Sequence, residues 1–240
     1  MLVNADVKGL EVVTAADLSQ DKVLMKEIWD KVDIHETNRD RFKLGEGKAG
    51  RLIAKIFKFR LIYGGSAYSY AHDPDFFSVG YSEKQWQRVI DEYYEKYKGL
   101  KAWHDNLLLT VMKQGYLTIP SGRYFSYKKN EYGRWPLTTI KNYPVQGFGA
   151  DLVKLARIEF YRRLLESGLP ALFISTIHDS LVVDVDGDEE MCYNISVMLK
   201  EAIESVPDLA RQEWDYNFSL PLTCEIQWGM NKKDMKDIML

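Results

Sequence analysis

At 240 residues, with 46% apolar and 28% charged side chains, the chain has the size and composition of a globular protein of one or two domains. It has no run of about 18 apolar residues, no basic and apolar N-terminal leader, and only Cys192 and Cys224. These features argue against membrane-spanning, secreted and disulfide-stapled classes and fit a reducing cytoplasm. The net charge of −3 does not advertise nucleic acid, yet residues 39–60 hold eight cations against two acids, Asp40 and Glu46.

In chain order, residues 1–13 run apolar to Asp6, turn at Gly9 and resume as Leu10-Glu11-Val12-Val13. This predicts a strand ending near Asp6 and a helix through Ala15-Ala16. An acid at a strand end suits a metal ion and equally suits a helix cap. Residues 19–31 read as one helix with Leu24, Ile28 and Trp29 on its apolar side. Next comes Asp33-Ile34-His35-Glu36-Thr37, where His35 alone reads as a capping or core histidine. Residues 45–50 are a polar, flexible approach to the stretch 51–65, RLIAKIFKFRLIYGG.

In that stretch Arg51, Lys55, Phe59 and Tyr63 recur every fourth position, one drifting stripe on a helix, and Gly64-Gly65 end it. A cationic end beside an aromatic end suits a nucleotide, with triphosphate on Arg51 and Lys55 and base on Phe59. An amphipathic helix with solvated cations is the competing reading.

Residues 66–80 read as loop plus short helix. Residues 82–97 form an amphipathic helix with a Ser82/Gln85 capping box, its Trp86, Ile90, Tyr93 and Tyr94 assigned to the core. Residues 100–114 form another, ended by Gly115. A hairpin follows, 116–119 and 124–127 around Pro120-Ser121-Gly122-Arg123. Asn142-Tyr143-Pro144-Val145-Gln146-Gly147 precedes a long helix over 148–167. Residues 173–185, FISTIHDSLVVDV, are two β-rich runs with His178-Asp179-Ser180 between them, and a hairpin would expose Asp179 at its tip. Residues 186–190 start a helix to 204. Residues 221–227 form a last strand closing at Gly229, with a charged tail beyond. There is no internal repeat.

The stripe resembles the fingers-helix motif of family A (DNA polymerase I-like) DNA polymerases, R-x3-K-x3-F/Y-x3-Y-G. Four other segments extend the resemblance over nearly the whole chain. ADVKGLE is similar to motif A, D-x-S-x-x-E, with Lys8 in place of Ser and Val13 where Arg is common. Asp33-Ile34-His35 is similar to D-I-H-x-x-T, and the 142–152 segment to N-x-P-x-Q-G-x-x-A-D-L. His178-Asp179-Ser180 is similar to motif C, V-H-D-E, with Ser180 replacing the Glu, and Arg60 stands where the family often has Gly.

The resemblance implies an α+β fold: an antiparallel palm sheet packed with helices plus a mostly helical fingers subdomain, with thumb and exonuclease absent. It divides the chain into palm (1–32), fingers (33–115, nucleotide helix about 48–64) and palm again (116–240). Asp6 and Asp179 would be the catalytic, metal-binding acids on adjacent strands, holding two Mg²⁺ ions. Arg51, Lys55 and His35 would grip the dNTP phosphates, Phe59 would stack on the base, Tyr63 would occupy the templating position, and Glu11 would block a ribose 2′-hydroxyl. Asn142, Gln146, His178 and Arg123 would contact primer-template DNA, the two amides reading minor-groove acceptors that every base pair presents. The thumb, the early palm and any exonuclease would come from a separate N-terminal chain, as in a split, phage-type polymerase acting in a host cytoplasm. His-Asp-Ser also occurs in single-subunit RNA polymerases, and a non-catalytic DNA-binding remnant would keep the basic stripe, so both stand as alternatives. Glu11 speaks against the first, and the pairing of Asp6 with Asp179 against the second.

Overall fold

The computed structural model describes residues 1–240. Strand β1 (Leu2–Val7) alternates, burying Val3, Ala5 and Val7 and turning Leu2, Asn4 and Asp6 to a half-exposed face. Gly9, at φ 57°, turns the chain into α1 (Leu10–Ser19). The single helix predicted over 19–31 is instead α2 (Lys22–Trp29), separate from α1. The break lies at Gln20-Asp21, because the Asp21 carboxylate accepts from the Val23 and Leu24 N–H groups and starts a new helix. A short helix α3 (Ile34–Phe42), missed in the sequence, is capped by Asp33. The nucleotide helix of the motif is α4 (Gly47–Ile62). Then come α5 (Ala67–His72), a 3₁₀ segment Pro74–Val79, α6 (Glu83–Lys96) with its predicted capping box, and α7 (Lys98–Gln114), which ends at Gly115 with φ 79°.

Strands β2 (Tyr116–Thr118) and β3 (Tyr124–Ser126) form the expected hairpin. Helix α8 (Leu137–Ser167) begins well before the predicted start and takes Asn142, Pro144 and Gln146 into its body. An interior proline loses a hydrogen bond and costs about 3 kcal/mol. Burial of Ile140, Pro144 and Val145 offsets this, which is why a boundary read from proline alone fails here. Strands β4 (Ala171–Ile177) and β5 (Ser180–Val185), helices α9 (Glu189–Glu204) and α10 (Val206–Trp214), and strand β6 (Cys224–Gly229) follow. The charged tail is not all tail, since Lys236–Ile238 adds a strand β7 against β6.

The chain divides into two compact units. The first (Met1–Leu10, Pro120–Gly122, Gly147–Leu240) holds a five-stranded antiparallel sheet in the order β4-β5-β1-β6-β7. Helix α9 packs on β1, β5 and β6 through buried Cys192, Ile195, Leu199 and Ala202. In the same unit Phe148 is ringed by Trp214, Tyr216 and Phe218 at 5.5–6.1 Å.

The second unit (Glu11–Ile119, Arg123–Gln146) is mainly helical. Its centre is Phe57, fully buried, with Phe42, Tyr70, Trp86 and Tyr93 all within 5.9 Å. Burying such a ring contributes about 2–3 kcal/mol. Phe57 lies on α4, so this cluster anchors the helix that carries the stripe. The C-terminal end of α4 is tied further. Arg60 forms ion pairs with Asp73 and Asp75 and lies 5.1 Å over the Phe76 ring. Tyr70 donates to the Phe57 carbonyl at 3.1 Å. No helix in the structure is long and apolar enough to cross a membrane.

Candidate functional site

Two sets of residues carry the sequence motifs, one in each unit. In the first unit, β1 lies between β5 and β6, with Asp6 opposite Ser180 on one side and Glu225 on the other. Directly opposed residues share a face, with Cβ atoms about 4.5–5.5 Å apart. The Ser180 hydroxyl donates to Asp6 Oδ1 at 2.5 Å. Ile177 pairs with Ser180, so His178-Asp179 is the whole turn between β4 and β5. His178 has φ 55°, a left-handed conformation that tight hairpins between twisted strands favour. The Val7 N–H donates to the Asp179 carbonyl at 3.1 Å, extending the β1 ladder into the turn. Asp6 and Asp179, 173 positions apart in the sequence, thus lie at the same end of neighbouring strands, and both are half-buried. His178 is exposed beside them.

In the second unit, the stripe lies along α4 and ends at Tyr63, the C-cap residue, followed by Gly64 with φ 88°. Arg51 donates through Nε to Asp33 at 2.8 Å, with both side chains more than two-fifths exposed. The same Asp33 caps α3 by accepting from the His35 and Glu36 N–H groups. The Asp-Ile-His segment is therefore bolted to the cationic end of the stripe. Lys55 is exposed, makes no ion pair, and its Nζ sits 5.9 Å from the Phe59 ring centroid. His35 approaches the same ring at 6.1 Å with its Nδ1 buried and unpartnered. Burial, reinforced by Lys58 and Arg51, pushes His35 down to about 3, so the imidazole is neutral at physiological pH. A phosphate would meet an N–H donor here rather than a second positive charge.

Burial and then the nearby Glu11 carboxylate push the Tyr63 hydroxyl up to about 12. That hydroxyl is buried, with Gln146 close but outside good hydrogen-bond geometry. Asn142 Oδ1 is also buried without a partner, while Gln146 is exposed one turn further along α8. Glu11, Tyr63, Asn142 and Gln146 all belong to this second unit, as does Arg123, whose carbonyl accepts from the Ile119 N–H at 3.1 Å.

The sequence matches the model of DNA polymerase family A over residues 1–234. The chain belongs to that family. It is 27% identical to DNA polymerase I of Caldicellulosiruptor bescii over 98% of its own length, and 32% identical to DNA polymerase I of Pseudomonas aeruginosa over 84%. It spans 27% and 23% of those two proteins, about a quarter of each. A solved structure described as the POL domain of Pol1 from M. smegmatis, in complex with DNA primer-template and dNTP, superposes with a TM-score of 0.79. That match covers 95% of this chain and 39% of the other at 22% identity, a likeness of fold.

Two residues near these sites escaped the sequence reading. Glu225 faces Asp6 across the β1–β6 pair and is held by Lys8 at 3.2 Å, the same Lys8 that replaces the usual motif A serine. Only strand register reveals it. Lys58, seven residues after Arg51, lies on the cationic face of α4 and is 1% exposed. A count of every fourth residue passes over it, although the seven-residue spacing was visible.

Divalent metal is implied by the family, and the donors of this family A chain suit it within limits. No group of three His, Cys, Asp or Glu side chains is poised to hold an ion. Mg²⁺, however, takes oxygen ligands, commonly one or two carboxylates completed by substrate phosphates and water. Asp6 and Asp179 are two half-buried carboxylates at the same end of neighbouring strands, the kind of donor such an ion takes.

Proposed function

We propose that this chain is the palm-and-fingers part of a DNA-templated DNA polymerase, transferring a nucleotide from dNTP to a primer 3′-hydroxyl. The observation that carries the reading is the strand register that brings Asp6 and Asp179 to one end of neighbouring strands. In this reading residues 1–32 and 116–240 serve as palm and 33–115 as fingers, within a cytoplasm. Asp6 and Asp179 would hold two Mg²⁺ ions. Such ions neutralise charge on the attacking and leaving oxygens of phosphoryl transfer.

The chain's own residues supply the rest. Lys55 presents an unpaired ammonium to the departing phosphates, and Arg51 joins it by exchanging Asp33 for phosphate, a bidentate partner its guanidinium fits. Neutral His35 donates an N–H. Phe59 stacks on the incoming base, and Tyr63 holds the templating position until the helix closes, which selects by induced fit. Glu11, near the Tyr63 hydroxyl, blocks a ribose 2′-hydroxyl. Asn142 and Gln146 present amides to minor-groove acceptors, with Arg123 and His178 on the DNA backbone.

The sheet edge supports a further part of the proposal. Strand β4 ends the sheet with Leu172 69% and Ile174 51% exposed. An open edge flanked by apolar side chains is a surface for another segment. We assign it to the early palm and thumb, supplied by a partner chain.

Primer extension by the chain co-expressed with such a partner tests the reading. Asp6→Asn and Asp179→Asn should each reduce extension at least about a thousandfold while leaving primer-template affinity within a few-fold. Full extension by either variant would remove that carboxylate from the chemistry. Glu11→Ala should keep dNTP incorporation and admit rNTPs at least about tenfold better; unchanged ribose rejection would mean Glu11 is not the gate.

A further inference from the structure

The second unit holds a buried lysine, Lys58, that makes no direct ion pair. Lys58 is 1% exposed, and the acids that act on it, Glu27 and Asp33, make their ion pairs with Lys96 and Arg51 instead. The acids around it are committed elsewhere. Glu27 of α2 takes the Lys96 ammonium at 2.8 Å and the Tyr97 hydroxyl at 2.7 Å. Asp33 takes Arg51. Asn38 Oδ1 accepts from Lys96 at 3.4 Å, and the Asn38 Nδ2 donor is buried without a partner. Other cations, Lys55 on its own helix and Lys96 of α6, face it as well.

Isolated buried charge is expensive and tends to be kept where a ligand compensates it. The geometry says which ligand. Lys58 Nζ and Lys55 Nζ each lie 5.9 Å from the centroid of the Phe59 ring, and the His35 ring lies 6.1 Å from it. Arg51, Lys55 and Lys58, at i, i+4 and i+7, form one face of α4. Three donors without anionic partners, the ammonium groups of Lys55 and Lys58 and the imidazole of His35, therefore surround one aromatic ring.

We propose that Lys58 is a fourth triphosphate-binding residue for the incoming nucleotide, beside Arg51, Lys55 and His35, reached when Lys58 extends along the α4 face. The inference rests on the polymerase reading and adds a residue to its nucleotide site. Burial holds Lys58 down to about 7, with Glu27 and Asp33 opposing and Lys96 and Lys55 reinforcing. Near pH 8 it is mostly the neutral amine. Placing a polyphosphate beside it restores the ammonium, so binding takes up a proton from the buffer.

Titration calorimetry of the full chain at pH 8 in EDTA, in buffers of different ionisation enthalpy, tests this without requiring catalysis. The probes are dATP, inorganic tripolyphosphate and deoxyadenosine. The wild type should bind dATP and tripolyphosphate with uptake of about one proton. Lys58→Met should weaken both by at least about tenfold and abolish the uptake, leaving deoxyadenosine unaffected. Lys58→Arg, always charged, should keep binding but lose the uptake, and it decides the matter if the methionine variant fails to fold. Equal dATP affinity in wild type and Lys58→Met, wild-type binding without proton uptake, or no wild-type binding at millimolar dATP would each overturn the proposal. Primer extension with the partner chain judges the polymerase reading separately.

Discussion

His35 and His104 show how burial decides the chemistry a side chain can offer. Both are held down to about 3, principally by desolvation, His35 with help from Lys58 and Arg51 and His104 with help from Lys141. In the unfolded chain they titrate near 6.5. Between those values the unfolded state binds more protons than the folded state, so stability rises with pH across this window and is lost as pH falls from about 6.5 towards 3. Urea unfolding at pH 7 and pH 5 should show a loss of at most about 2 kcal/mol for buried His104, and less for half-buried His35. His35→Gln and His104→Gln should each flatten that dependence, and an unchanged slope in either variant would mean the ring is protonated in the fold. In the proposed nucleotide site the same neutrality would make His35 a hydrogen-bond donor rather than a charge.

At the scale of elements, Asp21 joins three segments. It is 1% exposed, caps α2 through the Val23 and Leu24 N–H groups, and accepts the Leu100 N–H of α7 at 3.0 Å. Gly99 allows the approach, since a Cβ there would lie 2.7 Å from the Asp21 Cα. Asp21→Ala removes the cap and strands a buried donor, a cost of about 2–4 kcal/mol. Asp21→Asn, still able to accept, should recover roughly half by denaturant titration. A cost below about 0.5 kcal/mol for alanine would show that α2 and α7 are held by packing alone. Helix α4 is fixed in a similar composite way. Phe57 buries its inner face, and Arg60, at the position where glycine is frequent in the family, replaces a bare backbone with ion pairs to Asp73 and Asp75. That end of the helix carries Phe59 and Tyr63, so the ion pairs set where an aromatic platform can sit.

For the molecule as a whole, the open edge of the first unit is the feature with the clearest consequence. Leu172 and Ile174 project from β4, which pairs only with β5. Leu172→Lys with Ile174→Lys should lower light scattering by the isolated chain, because charges on an edge oppose edge-to-edge association. If the proposed early-palm chain docks there, the same pair should prevent its co-purification and extension in the reconstituted system. Retained co-purification would move the partner's seat elsewhere on the chain.

Much of this was legible in one dimension. Gly64-Gly65 after the stripe, the Ser82/Gln85 capping box, the Pro120–Gly122 turn and the alternation around His178-Asp179 are local signals, fixed by backbone sterics and short-range hydrogen bonds. They marked helix α4, helix α6 and two hairpins near where they stand. The motif spacings identified the family. Other features depended on partners far along the chain. Pro144 lies inside a helix because surrounding burial outweighs its local penalty. Strand β7 exists because β6 offers it an edge. Glu225 faces Asp6 only through register, and Lys58 has no ion pair because Lys96 and Arg51 take the acids near it. Residue order thus determined the local elements and the motif vocabulary, whereas long-range pairing and desolvation, which depend on what the finished fold places nearby, decided register, burial and which charges stand alone.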